Sequence, residues 1–252
     1  SVNSHVIYDV AKSIPAGPST FAIILVGNNE VVGPYGPGTF NQTFLSNLSI
    51  IRLIQAIKRT RVWQAANVLV GNLNPKNDKE TLRWRGMQMF TDNNVAFDDP
   101  RLETVYEHYE NNLFDTVSRL QDKGIHVLLS SVPVNLRDSA PFSSQHPPEL
   151  SDDALNTLNR QHQYSAARFK DQRFQDAVSA LNAAKAIAPN HADTHYQLGI
   201  AYEKLGQNAE SAEHFQQALD LDTLRFRADT QINARIRRVA EQFNDTAFNF
   251  VD

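Results

Sequence analysis

Apolar positions in the first half of the chain alternate between two periods. Over residues 4–13, Val6, Ile7, Val10 and Ala11 fall on one helical stripe, and Pro15, Gly17 and Pro18 end it. Phe21, Ala22, Ile23, Ile24, Leu25 and Val26 then run unbroken into Gly27, Asn28, Asn29 and Glu30. The turn-rich stretch Gly33-Pro34-Tyr35-Gly36-Pro37-Gly38 follows. A short apolar run bounded by turn signals predicts a buried strand of a parallel sheet. Over residues 41–61, Phe44, Leu48, Ile51, Leu53, Ile54 and Ile57 predict a helix, with Lys58, Arg59 and Arg61 at the end where cations suit its dipole. Residues 71–99 are rich in Asn and Asp, with Trp84, Met87, Met89 and Phe90 interspersed, and predict a loop or lid with some short helix. Residues 100–123 predict a long amphipathic helix stopped by Gly124. His126, Val127, Leu128, Leu129, Ser130 and Ser131 predict a second buried strand.

The character then changes. Residues 139–148 form a linker rich in Ser, Pro and His, and no strand pattern follows residue 152 until near the end. Ala177, Leu181, Ala184 and Pro189 recur as Ser211, Phe215, Ala218 and Thr223, each 34 residues later. Leu198, Gly199, Tyr202 and Gly206 complete the second unit at positions expected of tetratricopeptide repeats. Two repeats are fewer than a free solenoid needs, so they are expected to lean on a neighbouring domain. Residues 228–244 predict a helix through Ile232, Ile236, Val239, Ala240 and Phe243, and residues 247–252 a strand. The helix-then-strand pattern thus resumes, and the repeats read as an insertion. The expected organisation is an α/β domain over 1–143 and 224–252 with about two repeats over 150–223.

Composition narrows the function classes. The 252 residues carry a formal net charge of −4 and 41% apolar residues, enough to bury a good core. Near-neutral charge gives no electrostatic case for nucleic acid. The absence of cysteine excludes disulfides, a thiolate nucleophile and zinc–thiolate sites. No apolar run approaches the eighteen residues that would span a membrane. The chain begins with Ser and shows no signal peptide, which places it in no compartment.

The candidate chemistry lies where the first strand ends. In open α/β sheets ligands bind at the carboxyl ends of the strands. A Gly there permits close backbone approach, and an Asn offers the amide donor that a developing oxyanion needs. Gly27-Asn28-Asn29-Glu30 resembles the third block, Gly-x-Asn-(Asp/Glu), of the SGNH (GDSL-type) hydrolases. Pro133, Asn135, Leu136, Arg137, Asp138, Pro141 and Phe142 are similar to a subgroup of SGNH-like proteins that carry tetratricopeptide repeats. The resemblance implies a flavodoxin-like three-layer α/β domain with an inserted all-α repeat region. It also implies a cofactor-free serine esterase or acyl hydrolase, Asn29 as oxyanion-hole donor and Gly27 as the close-approach residue. An ester-containing small molecule or acylated glycan would be the substrate, and the repeats would bind a protein partner.

The remaining blocks are missing. There is no Gly-Asp-Ser, no Gly-x-Ser-x-Gly, and none of the eight histidines follows an Asp by three positions. In the family these blocks precede and follow the part seen here, so the chain is expected to be an internal piece without activity of its own. Two alternatives stay open: an interaction scaffold built on a non-catalytic hydrolase-like domain, and an acyltransferase acting on a cell-surface polysaccharide. Further residues have two readings each. Asn28 and Glu30 are helix caps or partners of Asn29. Tyr35 walls a substrate crevice or covers the core edge. Asn135, Arg137 and Asp138 hold an anionic substrate group, or an Arg–Asp pair fixes the loop into the repeats. Arg225, Arg227, Arg235, Arg237 and Arg238 read as a solvated helix face rather than an anion site. His191 and His195 lack a third ligand and read as surface histidines, not a metal site.

Overall fold

The computed structural model describes residues 2–17, 19–39, 44–73, 93–243 and 245–252. Helix α1 (Ser4–Ser13) leads through Pro15 into strand β1 (Phe21–Ile24). Helices α2 (Leu48–Lys58) and α3 (Arg61–Leu73) follow. Helix α4 (Arg101–Asp122) then returns the chain to β2 (His126–Ser130). The chain stops α4 as the sequence predicts: Gly124 has φ +72°, and the Ile125 N–H reaches back to Leu120 O at 3.1 Å.

The first helical expectation after β1 needs correction. α2 starts at Leu48, not near residue 41, because the Asn47 side chain accepts from Ile50 N at 3.1 Å and caps it there. Residues 44–47 are not helical, and 41–43 lie outside the described residues. α3 was not expected, and residues 71–73 of the anticipated loop belong to it. Trp84, Met87, Met89 and Phe90 lie outside the described residues.

Beyond β2 the chain builds α5 (Asp152–Lys170), α6 (Phe174–Ile187), α7 (Ala192–Lys204) and α8 (Asn208–Asp220). The short connections make α5–α6 and α7–α8 antiparallel hairpins. The repeated positions face inward: Ala177, Leu181 and Ala184 are buried, as are Ser211, Phe215 and Ala218. Gly199 is required by this packing, because a Cβ there would lie 2.7 Å from the Phe215 ring.

Helix α9 (Thr230–Ala240) and strand β3 (Phe248–Val251) then rejoin the sheet. α9 is shorter than the predicted 228–244, since the Asp229 side chain caps it by accepting from Ile232 N at 3.0 Å. The sheet is parallel with order β1-β2-β3, and Ile23 pairs with Leu128 and Leu128 with Asn249. Ile24, Val127, Leu129 and Phe248 form its buried face. Tyr109, Leu113, Val117 and Leu120 of α4 and Ile232, Ile236 and Val239 of α9 join them in one core.

The expectation of fully buried strands holds for that face alone. On the other, Phe21 and Ile23 are each 75% exposed and Leu25 is 59% exposed. Strands that step one way across a parallel sheet through right-handed crossovers put their helices on one side, which is where α4 and α9 lie. The architecture is therefore mostly helical, with a small three-stranded parallel sheet and a run of repeat-like helix pairs.

Candidate functional site

The carboxyl end of β1 breaks into successive turns over residues 28–38, with no helix following directly. Gly27 is buried beneath α9 and the end of β2: a Cβ there would sit 2.7 Å from Ile232 Cγ2 and 2.9 Å from Val132 Cγ2. The close approach it permits in this structure is to the protein's own core. Tyr109 Oη donates to Val26 O at 2.6 Å just before it.

The next three residues have different fates. Asn28 is neither a helix cap nor bound to Asn29: its Oδ1 accepts from Ala228 N at 2.9 Å, tying the turn to the approach to α9. Asn29 has φ +65°, the left-handed conformation that Asn tolerates and most residues avoid. Its main chain is pinned, with N–H donating to Phe226 O at 3.2 Å and carbonyl accepting from Gly33 N at 2.7 Å. Its side-chain amide makes no hydrogen bond to a described residue. Glu30 is buried under α1, where Oε1 accepts from Ser4 N and Oε2 from Ser4 Oγ, both at 2.8 Å. Burial pushes its carboxyl up to about 8, against the pull of the two Ser4 bonds.

That carboxyl belongs to a polar network the sequence did not disclose. Asn112 Nδ2 donates to Ser4 Oγ at 3.2 Å and sits 3.0 Å from His5 Nδ1. Arg52 donates to Asn112 Oδ1 at 3.0 Å. Burial, then His108 and Arg52, hold His5 down at about 3. Asn3 Nδ2 donates to Pro34 O at 2.9 Å, while its Oδ1 is buried without a partner among the described residues. Asn3 and Ser4 stand where a helix cap and first turn are expected, which was the only signal in the sequence. Tyr35 is buried at the edge of this network, edge-on to His5 at 5.4 Å, and so covers the core margin.

Asn135, Arg137 and Asp138 are not beside Asn29 in any hydrogen bond. Asn135 Oδ1 accepts from Asp138 N at 2.8 Å, a local turn. Arg137 Nε donates to Glu203 of α7 at 2.6 Å, and its carbonyl accepts from Tyr196 Oη at 2.7 Å. Asp138 is a longer partner of Arg137, at 3.4 Å. These residues fix the loop into the repeats, with Glu203 rather than Asp138 as the principal anion.

The basic run is corrected at three of its five positions. Arg225 is buried and pairs with Asp229 at 2.9 Å, while Tyr106 Oη donates to the same carboxylate at 2.5 Å. Arg227 pairs with Asp222, and Arg235 bridges Glu103 and Glu110. Arg237 pairs with Asp252 and Arg238 with Glu110. Arg225, Arg227 and Arg235 thus form a cross-linked seam, while Arg237 and Arg238 stay exposed on the solvated face that the spacing predicts. His191 and His195 are buried as well, not at the surface. His191 caps α7 by accepting from Thr194 N at 3.3 Å, and burial among His162, His146 and His195 lowers it to about 4. His195 Nδ1 lies 3.0 Å from His214 Nδ1, a pair fixed between α7 and α8.

Two clefts flank the repeats. One of about 210 Å³ is lined by Val132, Val134, Leu136, Leu219, Asn233 and Arg237, next to the end of β2. Another of about 160 Å³ lies among Phe97, His146, Pro148, Pro189 and Leu221. Among the described residues no group of three or more His, Cys, Asp or Glu side chains could hold a metal ion. Among them, too, no helix is long and apolar enough to cross a membrane.

Residues 192–223, the α7–α8 unit, match the tetratricopeptide repeat family. Nothing among curated proteins or solved structures matches the chain. The repeat supports a protein-interaction role, since such helix pairs stack into surfaces that bind partners.

Proposed function

We propose that the chain supplies the oxyanion side of an SGNH-type ester hydrolase whose repeats engage a protein partner. One observation carries this reading. Of three consecutive polar residues at the carboxyl end of a parallel strand, Asn28 and Glu30 have side chains committed to the fold, while Asn29 keeps its amide without a hydrogen bond to any described residue. Its backbone is held rigidly on both sides. A preorganised amide donor at the ligand-binding edge of a sheet is suited to charge that develops in a transition state. The exposed apolar face of the sheet supports the same reading, because the third layer of a flavodoxin-like fold would cover it.

On this reading residues 1–143 and 224–252 form one α/β unit and 150–223 an insertion. The serine nucleophile and the Asp-x-x-His pair come from polypeptide beyond these residues. The substrate is an ester-bearing small molecule or acylated glycan, and no cofactor is needed.

The test compares Asn29→Ala with Asn28→Ala in the polypeptide that includes the serine and histidine. Asn29→Ala lowers kcat by roughly 10²–10³, the usual loss for one oxyanion donor, with KM little changed. Asn28→Ala lowers stability and leaves kcat of the folded fraction within a few-fold. Steady-state kinetics on both, with thermal melts as the folding check, decides the matter. Equal small effects on kcat would make the turn structural and remove the case for hydrolysis.

A further inference from the structure

We infer that the outward stripe of α7 is a peptide-docking groove that this chain fills with its own residues 135–146. The proposal rests on the interaction role of the repeats and is independent of ester hydrolysis.

The buried residues of α7, among them Ala192, Leu198, Gly199 and Ala201, serve the helix packing. Tyr196, Ile200 and Glu203, spaced four and three apart, form a second stripe that is only partly covered. Residues 135–146 lie along that stripe without helix or strand, and none of residues 133–150 is buried. The direction is antiparallel to α7. The Arg137 side chain meets Glu203 near the helix's carboxyl end, and its carbonyl accepts from Tyr196 Oη of the second turn. Ser144 Oγ accepts from Asp193 N at 2.8 Å at the amino end, and the His146 ring stacks on His191 at 4.9 Å. Between them the buried Asp222 carboxylate accepts from Phe142 N at 2.9 Å and Ser143 N at 3.1 Å. Arg227 lies over the Phe142 ring and donates to Ser139 O.

An extended segment with no buried side chain, held by main-chain bonds to Asp222, Arg227 and Tyr196 and by surface contacts of Arg137, Phe142, Ser144 and His146, is how a repeat surface holds a peptide and not how a core is built. The partner that fits is therefore an extended peptide of small, hydroxyl and proline residues with a basic residue facing Glu203. Tethering at both ends gives the chain's own segment an effective concentration in the millimolar range, so a partner in trans competes at a disadvantage. The groove is closed until that segment is weakened or displaced.

A fluorescein-labelled synthetic peptide with the sequence of residues 135–146 tests this by anisotropy. The intact chain shows no saturable binding at micromolar peptide. A chain carrying Arg137→Ala and Phe142→Ala, both at exposed side chains, binds it at least roughly tenfold more tightly. Adding Glu203→Lys to that variant weakens binding by a similar factor, since it reverses the charge that the peptide's Arg needs. Circular dichroism confirms folding, and Arg137→Ala alone, with a smaller gain, replaces the double variant if the latter is not folded. A folded variant that does not bind, binding that ignores Glu203→Lys, or equal binding to the unmodified chain overturns the proposal.

Discussion

The sheet region and the repeats hold themselves together by different means. In the repeats, small residues and Leu or Phe mesh between neighbouring helices, and the apolar core contacts join residues within one or two helices of each other. In the sheet region an equally tight core is laced by polar side chains from distant parts of the chain. Asp229 collects Tyr106, Arg225 and the first turn of α9. Glu30 collects Ser4, and Arg235 spans two carboxylates of α4. Local packing tolerates loss of one contact at the cost of that contact. A buried polar hub fails as a unit, because each partner left behind is buried and unsatisfied.

Removing the hub is the hardest test of that contrast. Asp229→Ala leaves Arg225 charged and buried, and leaves Tyr106 Oη and Ile232 N without an acceptor; it destabilises the sheet region by about 3–5 kcal/mol. Urea unfolding followed by hydrogen exchange should show α4 and α9 exchanging early while α7 and α8 keep their protection. Uniform loss across both regions would show that they unfold as one unit and would blunt the comparison. The counterpart in the repeats is Gly199→Ala, which drives a methyl against the Phe215 ring and costs about 1–3 kcal/mol. Phe215→Leu should recover part of that loss in a double-mutant cycle; a loss that Phe215→Leu leaves untouched would place the strain elsewhere.

The effect that is smallest per step is one of pH, spread over several pH units. Glu30 is ionised in the unfolded chain above about 4.5 and holds its proton in the folded chain up to about 8. Between those values the folded state binds the extra proton, so stability falls as pH rises, by at most about 1.4 kcal/mol per pH unit from this group. Its contribution is full below 4.5 and gone above 8. Glu30→Gln should flatten that slope in melts taken from pH 5 to 8.5. An unchanged slope would mean that Glu30 is already ionised against Ser4. The histidines act in the opposite sense: His191, lowered to about 4 by burial, favours the folded state above 6.5 and ceases to do so as pH falls toward 4.

What could be read in the sequence follows the same division. The repeats were legible because their packing is local and periodic, so a 34-residue offset exposes Ala177 and Ser211, or Leu181 and Phe215, as equivalent. The strands at Phe21–Ile24 and Phe248–Val251, and their sharing of one sheet with β2, were legible from apolar runs in a helix-and-strand order. Arg225, Arg227 and Arg235 were misjudged, unlike the exposed Arg237 and Arg238, because helical spacing says which side chains share a face but not what crosses over it. Nothing near Arg235 in sequence announces Glu103 or Glu110. The histidines were misjudged for a related reason: His195 and His214 are 19 residues apart and meet only when α7 lies on α8. For the candidate turn, Gly27 and Asn29 were visible as residue types. The commitment of Asn28 to Ala228, across 200 residues, was not.

The half-bare sheet has a consequence for how sequence variation in this protein is to be weighed. At Ile24, Val127 and Leu129 a polar replacement meets a packed core and is harmful in any setting. Across the strand, at Phe21, Ile23 and Leu25, the same replacement meets water in this chain and is close to silent. Tolerance at those three positions is therefore a property of the company the sheet keeps and not of the residues themselves. A lysine at position 23 that passes unnoticed here, yet proves severe where another layer lies on the sheet, would report that layer without any structure of it.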